Sequence, residues 1–276
     1  NFASGHLSEG DGQNVYVVTT PVGVDLNKGE KFDSNDKVIG IGNCYLTDYS
    51  IDLSVGSLPT ASVSMEGANV RSSVGNAIMN PAVNQADGTV LTNNKVGLPT
   101  GKSNASGQTI KALRPGDITM TLTGFDGETV SDLTAASGIH VQSATISIPL
   151  SRTPLDRLGS KFAFARTVDF PVVSTLSVSA ILNEVDTVNL ADQLSAAERD
   201  VSIVMKAPDD STGLIWDFKG ALVESESWSS SIGANKSVDL TFSAQIGGPE
   251  DLDDGVFLSG ANIGNCFDPT MDLGPV

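Results

Sequence analysis

A β-hairpin pattern is written twice in this chain, residue for residue and without a gap. YSIDLSVGSLPTASVSM (49–65) aligns with ESWSSSIGANKSVDLTF (226–242). Ile51, Val55 and Gly56 stand against Trp228, Ile232 and Gly233, and Ala61, Val63 and Met65 against Val238, Leu240 and Phe242. Thr60 and Ser64 match Ser237 and Thr241. In each second arm apolar residues alternate with hydroxyls or carboxylates. That period of two belongs to a strand with one buried and one wet face. Both apolar faces, Val63 and Leu240 included, are therefore expected in a core. The connections GSLP (56–59) and GANK (233–236) open with Gly and contain Pro or Asn, as turns require.

A third copy is split. ATISIPL (144–150) resembles a first arm and TLSVSAI (175–181) a second arm. Between them lies an insertion holding SRTPLDRLGSKFAFAR (151–166). Strand-like runs precede the hairpins: NVYVVTT (14–20), ITMTLTG (118–124) and VSIVMKA (201–207). One short helix is expected at NLADQLSAAERD (189–200), with Asn189 as its N-cap and Leu190, Leu194 and Ala197 on one side.

Composition agrees with strands and turns. Apolar residues make up 39% of 276, enough for a packed fold, and the chain has 28 glycines and 12 prolines. The polar stretch 67–115 is long for a loop inside a compact domain. The expected organisation is two related β lobes: 1–130, carrying the loop 67–115, and 131–276, carrying the helix.

The net charge of −17 repels phosphate and argues against tight nucleic-acid binding. It suits a conduit through which DNA passes without sticking. No apolar run approaches the roughly 20 residues needed to span a bilayer as a helix. No signal peptide is evident, and a removed leader stays open because the first residue is Asn. Cys44 and Cys266 are the only cysteines and sit in the similar phrases IGNC-Tyr45 and IGNC-Phe267. A bridge between them is one reading; two buried thiols acting as small apolar residues is the other.

Chemical motifs are poor. GLPTGKS (97–103) is one residue short of a phosphate-binding loop and lacks the flanking strand and helix that such a loop needs. His6 and His140 are the only histidines, with no paired spacing for zinc. PEDLDDG (249–255) lacks the order of a calcium loop and reads as a solvated acidic turn. Asn104 and Asn235 fit glycosylation sequons, which matter only in a secreted eukaryotic chain. Aromatics make up 5%, scarce for a sugar-cleaving cleft. No catalytic, cofactor or metal residue is expected, and the chain reads as non-enzymatic.

Charge is uneven. Arg152, Arg157, Lys161 and Arg166 crowd the insertion of the split hairpin, while no basic residue follows Lys236. A basic projection and an acidic end suit head-to-tail contact between identical subunits, so these four residues are the candidate subunit contact.

The repeated hairpin, together with SATISIPLSRTPLDRLGSKFAFARTVDFPVVSTLSVSAI (143–181), resembles the major tail (tail tube) proteins of tailed bacteriophages. The resemblance covers mainly 44–66 and 140–246 and rests on pattern rather than on a diagnostic motif. It implies an all-β fold with one short flanking helix, in two related β-sandwich or barrel lobes with extended hairpins. It also implies self-association into rings stacked as a tube around DNA, contact with other virion tail proteins, assembly in the host cytoplasm, no cofactor, and a place in the virion tail. The loop 67–115 and the split hairpin depart from the family pattern. They leave another tail component (tail tip, neck or baseplate) and a receptor- or glycan-binding β-sandwich module as alternatives.

Overall fold

The computed structural model describes residues 12–19, 37–74, 78–84, 89, 95–96, 118–123, 129–130, 139–182, 198–206, 212–230, 236–247 and 253–260. Every regular element among them is a β-strand. The first group is β1 (Gln13–Thr19), β2 (Lys37–Ser54), β3 (Thr60–Glu66), β4 (Asn69–Val74), β5 (Ile78–Met79) and β6 (Lys95–Val96). Then come β7 (Ile118–Thr123), β8 (Thr129–Val130), β9 (Ile139–Pro149), β10 (Arg152–Leu155), β11 (Ala165–Val168) and β12 (Val172–Leu182). The last group is β13 (Arg199–Lys206), β14 (Thr212–Ser229), β15 (Lys236–Ile246) and β16 (Gly255–Gly260). Twelve of these strands form one sheet, curled into a half-barrel, in the order β1-β2-β9-β12-β15-β14-β13-β7-β8, with β3 and β4 also on β2 and β16 on β14.

The hairpin repeat extends to the pairing register. Ile51 pairs Ala61 where Trp228 pairs Val238, and Tyr49 pairs Val63 where Glu226 pairs Leu240. The register shifts at matching places, between Leu46 and Asp48 and between Val223 and Ser225. The match runs past the hairpin. Val15 pairs Ile41 as Val201 pairs Phe218, and Gly42 pairs Asn69 as Lys219 pairs Gly255. One four-strand unit thus occurs twice, as β1–β4 and as β13–β16. In each, a long strand of 18 residues has its first half between two neighbours and its second half in the hairpin. Each long strand turns at a positive φ, 49° at Asn43 and 63° at Gly220.

The split copy forms as expected. β9 and β12 pair antiparallel, Ile146 against Leu176 and Ala144 against Val178. The hairpin sits between the two units, β9 on β2 and β12 on β15. Its insertion forms a separate two-stranded arm, β10 with β11. Pairing crosses residue 130 twice, since β2 bonds to β9 and β7 to β13.

The core lies between the layer β2-β9-β12-β15 and the first half of β14 with β13 and β16. Ile51, Ile146, Leu176 and Phe242 meet Ile203, Trp216, Phe218 and Val256 there. The Tyr49 and Trp216 rings stand 5.6 Å apart between centroids.

Three expectations are corrected. β3 is exposed along its whole length, Val63 and Met65 included, because it is an edge strand with only β2 beside it. Alternation marked its apolar face correctly, but no described element covers that face. Arg199 and Asp200, expected to end the helix, open β13, where Arg199 pairs Ala221; 189–197 lie outside the described residues. The stretch expected as a loop from 67 begins with strand β4, which satisfies the backbone of the first half of β2 from Lys37 to Gly42.

Candidate assembly surface

Six strands, in the order β3-β2-β9-β12-β15-β14, form a layer with two unlike faces. On the core side one row across the strands reads Ala61, Ile51, Ile146, Leu176, Phe242, Val223. On the open side the next row reads Thr60, Asp52, Thr145, Ser177, Thr241, Ser225. A further open row reads Ser54, Ser143, Ser179, Asp239, Ser227. These residues alternate with the core positions because successive side chains in a strand point to opposite faces. The Thr145 hydroxyl donates to Asp52 Oδ1 at 3.0 Å, and the Ser229 and Ser237 hydroxyls lie 2.6 Å apart. No lysine or arginine stands in these open rows, which offer hydroxyls and carboxylates and nothing to grip phosphate; exposed Leu222, paired with Ser243, and Val173, paired with Gln245, lie on the same side.

Both ends of the layer are edges among the described residues. β3 pairs only with β2, and the second half of β14 only with β15. Such edges present unpaired backbone donors and acceptors to another chain.

The four expected contact residues divide into two pairs. Arg152 and Arg166 are buried at the root of the arm. Their guanidinium carbons lie 4.8 Å and 5.8 Å from the centre of the Tyr45 ring. Arg152 Nη1 donates to the Arg166 carbonyl at 3.1 Å, and Arg166 Nη1 meets Glu66 Oε1 at 2.8 Å. This stack fastens the arm to β2 and to the last residue of β3. Arg157 and Lys161 are exposed at the tip beside fully exposed Leu158, and Arg157 lies 5.9 Å from the centre of the Phe164 ring. The arm closes through the Phe164 amide, which donates to the Leu155 carbonyl at 2.9 Å. Sequence reasoning missed Tyr45 and Glu66. The consecutive apolar residues Cys44, Tyr45 and Leu46 break the alternation of β2, all three are buried, and that run was the signal in the sequence.

Cys44 is a free buried thiol that donates to the Ile41 carbonyl at 3.4 Å, and burial pushes its pKa up. Burial raises the Tyr16 and Tyr49 hydroxyls likewise. Cys266, His6, GLPTGKS (97–103), the sequon residues Asn104 and Asn235, and residues 249–252 lie outside the described residues, and His140 is described only as part of β9. Among the described residues no group of three or more His, Cys, Asp or Glu could hold a metal ion, and no helix is long and apolar enough to cross a membrane.

No protein-family model and no curated protein matches the chain. Solved structures similar to it include the tube-terminating cap of the anti-feeding prophage, at 12% identity and TM-score 0.42 over 58% of this chain and 99% of that one. Another is a chain of the PVC extracellular contractile injection system sheath–tube complex, at 11% identity and TM-score 0.39 over 59% and 100%. A third is the SPP1 tail tube, at 12% identity and TM-score 0.37 over 52% and 77%.

Proposed function

We propose that this chain is a bacteriophage virion structural protein, a tail tube (major tail) subunit that forms stacked rings around a DNA channel. The observation that carries this reading is the six-strand layer: one hydroxyl-and-carboxylate face without a cation, and an open edge at each end. An open edge invites sheet extension between chains. A ring of such layers with the open face inward gives a wet, acidic lumen, along which DNA finds no cation contacts. The unit that recurs as β1–β4 and β13–β16 supports two related lobes, which we place at 1–130 and 131–276. Exposed Arg157 and Lys161 form the subunit contact on an acidic neighbouring copy, with Arg152 and Arg166 holding the arm in place. The protein works without catalysis or cofactor, beside other tail proteins in the virion tail, after assembly in the host cytoplasm.

Gold-labelled polyclonal antibody raised against the whole chain tests this on intact particles. Label spaced regularly along the tail shaft is expected. Label confined to the capsid shell would sink the reading, and label only at the tail end would assign the chain to a tip or baseplate instead.

A further inference from the structure

The two copies of the repeated unit have unequal neighbours, and the inequality falls on a particular set of apolar residues. Ile51 and Trp228 hold the same place in the two hairpins. Ile51 is 5% exposed, with Ile146 of β9 beside it; Trp228, with no such strand beside it among the described residues, is 49% exposed. The second arms repeat the contrast in the opposite sense. Leu240 and Phe242 are 5% and 0% exposed, flanked by Val178 and Leu176 of β12. Their counterparts Val63 and Met65, on the unflanked edge, are 55% and 39% exposed. The uncovered apolar positions are those whose counterparts the β9–β12 hairpin covers.

We infer that the two open edges are a docking site for a second hairpin of the β9–β12 kind, and that they do not join each other directly. Its first strand lies on β14 in the register that β9 takes on β2, opposite Ser225, Ser227 and Ser229. Its second strand lies on β3 of the next copy in the register that β12 takes on β15, opposite Ala61, Val63 and Met65. The partner chemistry follows from those registers. Each strand alternates a β-branched or aliphatic residue toward the core side with a hydroxyl toward the open face, as β9 and β12 do. Trp228 is covered by the first strand, and Val63 and Met65 by the second. This inference rests on the proposed lateral assembly and specifies what completes it.

The probe is a synthetic hairpin of residues 142–150 joined through Asn-Gly to residues 172–181, which is β9–β12 without the arm. Added to the full chain, it is expected to convert separate copies into rings and to shift tryptophan emission to the blue. The shift is expected to vanish in Trp228→Phe, which leaves Trp216 in place. The same hairpin with Ile146→Ser and Ile148→Ser is expected to do neither. Disulfide trapping supplies the opposing outcome, with Ser62→Cys paired in turn with Ser225→Cys, Ser227→Cys and Ser229→Cys in a Cys44→Ala, Cys266→Ala chain. A bridging hairpin keeps the two edges roughly 14 Å apart, three strand spacings, beyond disulfide reach. Rings that form without the hairpin and trap as disulfides across these positions would overturn the inference while leaving lateral assembly intact. Copies that stay separate both with and without the hairpin would overturn lateral assembly and the inference with it.

Discussion

Asn43 and Gly220 occupy the same turning point of the two long strands, and each backbone amide there donates to a side-chain oxygen of the strand alongside. The Asn43 amide reaches Asn14 Oδ1 at 3.3 Å, and the Gly220 amide reaches Asp200 Oδ1 at 3.2 Å. Positive φ suits Gly and Asn better than other residues. At Gly220 a Cβ would also collide with the Asp254 carboxylate. Gly220→Ala is therefore expected to lower stability by about 1–3 kcal/mol, read from the urea midpoint. Asn43→Gly relieves the backbone but removes the acceptor for the Val83 amide at 2.6 Å. It is expected to cost less, about 1 kcal/mol.

Val63 and Leu240 are repeat counterparts with opposite surroundings. Leu240→Asp puts an unpaired carboxylate into the core and is expected to cost about 4 kcal/mol or more, abolishing the cooperative thermal transition. Val63→Asp falls on an exposed edge and is expected to change stability by less than about 1 kcal/mol. Its effect appears instead, with the 142–150/172–181 hairpin added, as lost ring formation in negative-stain images. Equal unfolding by both substitutions would show that β3 is covered within the single chain.

The difference between these two residues marks the limit of what alternation reveals. The period-two pattern identified which side of each strand is apolar, and the gapless match of 49–65 with 226–242 extends to the pairing register and its bulge. Alternation carries no information on what lies across a strand's free edge, so Val63 and Leu240 read alike although one is the outermost row and the other an inner one. The arm was visible as a basic insertion, but its orientation was not. Four cations in fifteen positions read as one patch; strand pairing turns Arg152 and Arg166 inward because Tyr45 and Glu66, far away in sequence, receive them. That stack depends on a tertiary contact that no local spacing records.

Trypsin distinguishes the two pairs of basic residues in the arm. Cleavage after Arg157 and Lys161 is expected to be fast in the folded protein, and cleavage after Arg152 and Arg166 slow. Tyr45→Ala removes the ring on which both buried guanidiniums stack, a contact worth about 0.5–2 kcal/mol. It is expected to speed cleavage after Arg166 while the far-ultraviolet spectrum stays that of a β protein. Glu66→Gln is expected to have a smaller effect, at most about 1 kcal/mol, because Glu66 is half exposed. Equal cleavage at all four sites in the unmodified chain would contradict the inward pair.

Alkaline pH is expected to destabilise the fold. Burial raises Cys44, Tyr16 and Tyr49, so the folded state holds their protons more tightly than the unfolded state does. Their contribution is fully present below the unfolded thiol pKa of about 8.5 and is lost as pH climbs through the higher folded values. The urea midpoint is expected to fall as pH rises from 8 to 11, and Cys44→Ala to flatten the first part of that fall. A midpoint that rises over this range would contradict the assignment of these three groups as buried acids.

The orientation of the six-strand layer in an assembled particle can be read from a strand-resolution reconstruction of the tail cross-section. The account predicts closed rings with Asp52, Thr145, Ser177 and Asp239 facing the lumen, a hairpin of the β9–β12 kind between neighbouring layers, and the arm tip at Arg157 and Lys161 against another copy. A reconstruction in which that hydroxyl-and-carboxylate face points away from the channel, or in which this chain lies outside the tail, would contradict it.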